Sequence, residues 1–463
     1  MTATEIISYD PASGDAIGAV KATDISGLQA EVAAAAEAFT GGSWVSDTVL
    51  RSRVLMSWAD ALERSSEELT GLLVREVGKV RREAHHEVLM SVDALRYNAG
   101  LARYLDGDAG QLYDGSVAHL ERNPVGVCGF IVPWNAPVGL LLRDLAPALA
   151  AGATAVVKPS PVTPLVTEYV LRLARAAGVP AGVLGVVYGD AEIGHALVTH
   201  PSVRAIAFTG STQTGRAVMR SAAEDFTRVL LELGGKGVSI LFADAQLDIA
   251  VEACVGAAFI GSGQFCMANT RLLVQRARYR DVLSAVVEKV RALRVGDPHQ
   301  PDSDLGPLIS HKHRESVLRY VDIARQSATL LTGGEASDGP GAFMVPAVVT
   351  GVEPTSPLAC EEVFGPLLTV EPFDSEAEAV ALANASPYGL AASVWTAEID
   401  RGWRVARALE AGTVWVNRYN RTFAEVPSGG VKNSGIGRTR GIDGLRQFTE
   451  VKHINWHVRH VAC

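Results

Sequence analysis

The stretch VGVCGFIVPWNAPVGLLLRDLAPALAAGATAVVKPS, residues 125–160, decides the fold. It opens on a β-rich apolar run that exits through Pro133, Trp134 and Asn135. A helical pattern follows over Val138–Ala150, and a second apolar run, ATAVVK, stops at Pro159. Strand, helix, strand in that order predicts parallel strands, because a parallel pair needs a long crossover and a helix supplies it. The pattern continues downstream. Thr163–Ala177 reads as a helix with a stop at Gly178 and Pro180, VLGVVYGD as a strand, and Ala191–Thr199 as a helix. VRAIAFTGS is a strand, Thr212–Glu224 a helix, and TRVLLELGG a strand. The expectation is an α/β chain with an open parallel sheet covered by helices on both faces. Ligands of such sheets bind beyond the carboxyl ends of the strands. The residues at those ends are Trp134, Asn135, Lys158, Thr209, Gly210, Ser211 and Glu232.

A second series begins after GGKG. GVSILFAD is a strand, Leu247–Ile260 a helix, TRLLVQ a strand and Tyr279–Leu293 a helix. Gly296–Gly341 reads as loops around one helix. The tail FTEVKHINWHVRH alternates like an edge strand, and its Ile454, Trp456 and Val458 invite pairing with another subunit. Upstream, Ile25–Phe39 and Val49–Leu105 read as helices, charged and without obvious chemistry. His85 and His86 are adjacent and cannot share a helix face, so they read as a solvated surface.

Composition narrows the function. The chain has 463 residues, 48% hydrophobic and 20% charged, enough for two or three packed domains. Lys and Arg number 42 against 51 Asp and Glu, a net charge of −9. Nucleic acid and anionic membrane are poor partners for such a chain. The most apolar long segment, Val138–Val157, is broken by Arg143, Asp144 and Pro147, so no transmembrane helix is expected. The start MTATEIISYDPASG lacks the basic and apolar parts of a secretory leader. Five cysteines without a C-x-x-C pair or zinc spacing point to reduced thiols, a cytoplasmic setting and no metal.

GSTQTGR, residues 210–216, follows a strand and opens a helix. It is either an ordinary helix start or an anion site at a helix N-terminus. Arg216 and Ala217 exclude the triphosphate P-loop, and G-x-G-x-x-G is absent. In LELGGK, Glu232 ends a buried strand; it either reaches water or is a carboxylate tuned by burial to act as a base. In GSGQFCMANTR, Cys266 is the thiol held at a glycine-rich turn. Cys128 and Cys254 lie in apolar runs, Cys360 lies beside two acids, and Cys463 is terminal. No histidine neighbours Cys266 in sequence, so a Cys-plus-Glu pair fits better than a Cys-plus-His pair.

PWN at 133–135, KPS at 158–160, FTGS at 208–211, LELGGK at 231–236, GQFC at 263–266, EEVFGP at 361–366 and SGGVKNSGIGR at 428–438 stand in an order that resembles the NAD(P)-dependent aldehyde dehydrogenase superfamily. The resemblance runs from about Tyr9 to Trp456. It implies a cofactor-binding domain over 1–105 and 125–234, a catalytic domain over 235–440, and an oligomerisation flap of 106–124 and 441–463. It implies a homodimer or homotetramer through the C-terminal strand. Carried over by residue, Cys266 is the nucleophile, Glu232 the general base, and Asn135 an oxyanion donor with the Cys266 backbone N–H. Lys158 would hold the adenosine ribose, Gly210 and Ser211 the pyrophosphate, and Glu362 and Phe364 the nicotinamide ribose and ring, with Ser160 and Trp134 also among the cofactor-binding residues. The implied reaction is aldehyde plus NAD(P)+ plus water to carboxylate plus NAD(P)H. Retained Glu232 argues against a CoA-acylating relative, and intact Cys266, Glu232 and Asn135 against a silent homologue.

The departures from the family are informative. Pro161 stands where many NAD-preferring members have a ribose-chelating Glu, which removes a barrier to NADP. Arg143 replaces a common Trp and resembles both the succinic-semialdehyde group and the benzaldehyde, vanillin and salicylaldehyde group. Ala136 and Gly139 replace bulkier side chains. Helical spacing puts Arg143, Leu140 and Ala136 on one face, expected to line a substrate pocket with Phe265. Ile260 stands where the succinic-semialdehyde group has a second Arg. An aromatic or bulky aldehyde is therefore expected, with succinic semialdehyde second.

Overall fold

The computed structural model describes residues 5–457; Val458 and Cys463 lie outside them. Two sheets dominate. The first has six strands in the order Gly435–Ile436, Arg228–Glu232, Val203–Thr209, Val127–Ile131, Thr154–Lys158, Leu184–Val186. Its last five are parallel, and Gly435–Ile436 runs antiparallel to Arg228–Glu232. The chain winds outward from Val127–Ile131 in one direction, then restarts on that strand's other side with Val203–Thr209. This reversal opens a crevice at the carboxyl ends, where Trp134, Asn135 and the Gly210–Ser211 turn emerge.

The second sheet has seven strands: Thr329–Thr332, Ala347–Thr350, Leu367–Phe373, Arg271–Gln275, Val238–Leu241, Ala391–Trp395 and Thr413–Val416. Only Thr329–Thr332 is antiparallel to its neighbour. A third sheet joins Ala109–Gln111, Ser116–Pro124 and Thr449–His457. Thr449–His457 pairs with Ser116–Pro124 along its whole length and carries exposed Val451, Ile454 and Trp456. Helix Gly441–Arg446, just before it, packs instead on helix Pro137–Ala151.

The central helix Pro137–Ala151 forms because Pro137 presets the first turn and Gly152, at φ 98°, ends it in the left-handed region. Nearly all of it is buried, which explains an apolar sequence without an amphipathic stripe. Helices Thr48–Arg64, Ser66–Val77 and Arg81–Leu101 pack around it and around helix Pro164–Ala176. Helix Ile25–Gly41 covers strands Thr154–Lys158 and Leu184–Val186. The N-terminus also holds a hairpin, Glu5–Tyr9 with Ala16–Lys21, in a region that read mainly as helical. Its exposed faces carry no clean alternation, so the turn DPASG was its one local sign.

Candidate active site

The strand-end motifs converge because glycines allow main chains to touch. A Cβ on Gly235 would stand 2.4 Å from the Cys266 carbonyl oxygen. A Cβ on Gly263, whose φ is +74°, would stand 2.2 Å from the Gly365 carbonyl oxygen. LELGGK, GQFC and EEVFGP are thereby locked side by side.

Cys266 follows a tight turn at the end of helix Leu247–Phe259, in which Gly261 and Ser262 both have positive φ. Its thiol is half-buried. Burial and the charges of Glu232 and Glu362 push the thiol up to about 12, opposed by Arg143 and the Met267 N–H. These surroundings favour the protonated thiol before substrate arrives. Asn135 is buried, and its Nδ2 donates to the Gln264 carbonyl at 3.0 Å. That amide has a second hydrogen free for the cavity beside Cys266.

Glu232 ends its strand between Thr209 and Gly435 and is buried. Burial dominates its titration and raises its carboxyl to about 7; Arg143 opposes and Asp144 reinforces. One oxygen lies 3.5 Å from Arg143 Nη1, while Oε1 has no hydrogen-bond partner among the described residues. An orphaned buried acceptor of this kind suits a water molecule.

Arg143 does not line the substrate-sized cavity, contrary to the helical-face expectation. Its guanidinium grips Asp144 with bonds of 3.0 and 2.8 Å, donates to Thr209 Oγ1 at 2.7 Å, and reaches Glu232. A long side chain on the correct face still turns to the nearest buried carboxylates, because leaving them unpaired is costly. Replacing it by leucine should destabilise the protein by about 3 kcal/mol, since Asp144 and Glu232 would stay buried without their cation. Urea unfolding checks this; a change below ~1 kcal/mol would remove the ion pair from the account.

The cavity itself is about 810 Å³. Asn135, Ala136, Gly139, Leu140, Phe265 and Ile260 line it, and so do Met90, Phe259 and Tyr419. His86 and Arg440 line it too, so His86 is not simply a solvated residue. The helix Arg81–Leu101, which showed no chemistry in sequence, also builds the site. Glu87 accepts from the N–H groups of Val138 and Gly139 at 2.9 and 3.0 Å, capping the central helix next to Asn135. Glu83 accepts from the Gly261 N–H at 3.1 Å, bracing the turn before Cys266.

On the crevice side, Lys158 is buried, and among the described residues its ammonium donates only to the Pro159 carbonyl, at 3.4 Å. Burial lowers it to about 8, with Asp190 opposing. Its spare N–H donors fit the hydroxyls of a nucleotide ribose. Ser160 is half-buried beside exposed Pro161. Ser211 caps helix Thr212–Ala223, accepting from the Thr214 N–H at 3.2 Å, and Gly210 precedes it. Unbonded N–H groups at that helix start fit a pyrophosphate. Glu362 accepts from the Gly235 N–H at 2.9 Å, and burial raises its carboxyl to about 7. Phe364 has φ 54° and stands edge-on to Trp134, ring centres 5.4 Å apart. His313, which the sequence did not single out, bonds the Phe364 carbonyl at 2.8 Å and contacts Trp134. Its distance in sequence from both left no local signal. Among the described residues no group of His, Cys, Asp and Glu could hold a metal ion.

The profile of the "Aldehyde dehydrogenase family" matches residues 1–454. A betaine aldehyde dehydrogenase of Bacillus subtilis is 41% identical over 434 residues, 91% of this chain and 88% of that protein. One from Cereibacter sphaeroides is 40% identical over 447 residues, 96% of this chain and 92% of that protein. A crystal structure of betaine aldehyde dehydrogenase from Staphylococcus aureus in complex with NAD+ superimposes with a TM-score of 0.95 at 34% identity, covering 98% of this chain and 91% of that one.

Proposed function

Because the chain belongs to the aldehyde dehydrogenase family, we propose that Cys266, Glu232 and Asn135 oxidise an aldehyde to its carboxylate with NAD+ as acceptor. The observation that carries this is Glu232, a buried carboxyl raised to about 7 whose Oε1 has no hydrogen-bond partner among the described residues and whose charge acts on the Cys266 thiol.

The roles follow from the geometry. The thiol proton passes to water as the sulfur adds to the aldehyde carbon, forming a thiohemiacetal whose oxygen carries the negative charge. Arg143 and the Met267 N–H favour the thiolate as it forms. The free Asn135 Nδ2 hydrogen and the Cys266 backbone N–H would stabilise the developing oxyanion; losing one such donor costs roughly 2.7–4 kcal/mol. When bound, the nicotinamide supplies the hydride acceptor. Lys158, Ser160, Gly210, Ser211, Trp134, Glu362 and Phe364 would hold the dinucleotide. Loss of hydride from the carbon leaves a thioester on Cys266. Glu232 then takes a proton from water, the hydroxide attacks the thioester, and the thiol returns as carboxylate leaves.

NADP use is part of this reading. No carboxylate follows Lys158 at position 161, and Asp190, the acid on that side, is engaged in capping the Glu192 N–H at 2.9 Å. NADP should turn over within about two decades of NAD, and Pro161→Glu should shift preference toward NAD. Initial rates with both cofactors check this; outright rejection of NADP by the wild type would assign the choice to another residue.

A bulky or aromatic aldehyde is the proposed substrate, supported by the room beside Ala136 and Gly139 and by the apolar walls of Leu140, Phe259 and Phe265. The names of the relatives support betaine aldehyde as a second reading, and Phe265 and Tyr419 offer rings for a quaternary ammonium. Succinic semialdehyde loses its main support, since Arg143 is committed elsewhere. A kcat/KM panel read by reduced-cofactor absorbance decides among them.

Most strands of the three sheets support the division into a cofactor part (1–105, 125–234), a catalytic part (235–440) and a flap (106–124, 441–463), with Gly435–Ile436 crossing to the cofactor sheet and helix Gly441–Arg446 packing on helix Pro137–Ala151. The free edge of Thr449–His457 supports assembly of copies as a homodimer or homotetramer, readable by light scattering. Free Cys128, Cys254, Cys266 and Cys360 fit a reducing cytoplasm. Among the described residues no helix is long and apolar enough to cross a membrane.

A further inference from the structure

The charged side chains around the substrate-sized cavity come in partnered sets, with one exception. Lys79 pairs with Glu87, Lys289 with Glu252, and Arg82 with Asp304. Glu83 accepts from the Gly261 N–H. Arg440 lines the same cavity, and no hydrogen bond or salt bridge joins its guanidinium to any described residue. Burial pushes that guanidinium down to about 10, and the neighbouring Arg143 adds to the effect. Asp144, Glu232 and Asp93 oppose through space without bonding it. The guanidinium is half-buried, with its nitrogens open to solvent at the cavity, so its five donors are free for a ligand, and keeping a cation in that position carries a cost.

Its backbone is costly as well. Arg440 sits at φ 63°, ψ 172°, a region that glycine occupies and other residues avoid. The surroundings enforce it. Ser428 and Thr439 exchange backbone hydrogen bonds of 2.9 and 2.8 Å just before it. The Gly441 N–H donates to the Ala424 carbonyl at 2.8 Å just after it, and the Arg440 carbonyl accepts from the Gly444 N–H at 2.8 Å. The fold therefore holds this position in a glycine conformation while the residue is arginine.

Resting on the dehydrogenase reading, we propose that Arg440 is a specificity-determining residue that binds an anionic oxygen group, carboxylate or phenolate, carried by the aldehyde. The guanidinium then gains the partner that the protein withholds, in a bidentate fork for a carboxylate. Phe265, Leu140 and Phe259 enclose the body of such a substrate. A cationic aldehyde would be repelled at the same place.

Two variants test this. Arg440→Gly suits the backbone and should fold, and Arg440→Lys keeps the charge but not the fork. Benzaldehyde, para-hydroxybenzaldehyde, para-formylbenzoate and betaine aldehyde are compared by kcat and KM separately. Arg440→Gly should weaken kcat/KM for para-formylbenzoate about 10- to 100-fold, through KM, and leave benzaldehyde nearly unchanged. Arg440→Lys should restore part of the loss. The arm showing the larger loss separates carboxylate from phenolate. An equal fall in kcat for all aldehydes would mean that Arg440 acts through Glu232, and no change for either anion would mean that it contacts neither; both overturn the proposal. Equilibrium binding of para-formylbenzoate to Cys266→Ala protein, with and without Arg440→Gly, reads the contact without turnover. Loss of binding there would uphold Arg440 even if the dehydrogenase reading failed, and equal binding would overturn Arg440 alone.

Discussion

Cys266→Ala is expected to abolish aldehyde oxidation, by roughly four orders of magnitude or more, while NAD+ still binds. The size follows from what the thiol does: it creates the thiohemiacetal from which hydride leaves, and none of the other free thiols among the described residues lines the cavity. Cys360 bonds the Pro354 carbonyl at 3.1 Å, and Cys128 and Cys254 are sealed in the core. Cofactor binding should survive because the residues proposed to hold it hang on other strand ends. Rapid reduced-cofactor absorbance and a separate NAD+ titration measure the two halves. Appreciable NADH formation by the variant would falsify the covalent route.

Glu232→Gln should divide the reaction in time. A first burst of NADH, one per site, should remain, while steady turnover falls about 10²- to 10⁴-fold, the range for loss of a positioned general base. In the wild type the same carboxyl should set the pH profile. Glu232 is raised to about 7, so below that pH it is protonated and cannot accept from water. The deacylation-limited rate should climb through pH of about 7 and then level off. In Glu232→Gln that step in the profile should vanish. If burst and steady rates fall together, the carboxyl acts before hydride transfer and its role moves to the thiol.

Much of this site was readable in advance because strand ends have local signals. Alternation of apolar runs with helical periods located the parallel strands, and the residues that follow them, Asn135, Lys158, Gly210 and Glu232, fell at the crevice without further information. Periodicity gave a face for Arg143 but not a destination. Its head was drawn by Asp144 next door and by Glu232, 89 residues away, and no helical wheel contains the second. The first hundred residues looked chemically blank because capping by Glu87 and bracing by Glu83 are contacts across long separations. Arg440 was hidden for another reason: its backbone conformation, not its neighbours in sequence, brings it to the cavity.

The short antiparallel strand Gly435–Ile436 sets the order in which the enzyme can come into being. It pairs with Glu232 and Leu231, and the Leu233 N–H donates to the Ser434 carbonyl at 2.9 Å. During synthesis the proposed base is made about two hundred residues before the segment that closes its sheet edge. Until then the edge is open, its main-chain groups unpaired and available to any other extended chain. Ribosome-bound intermediates of this protein should therefore be at their stickiest late in translation, and a product shortened before Gly435 should fail by aggregating, not merely by lacking activity.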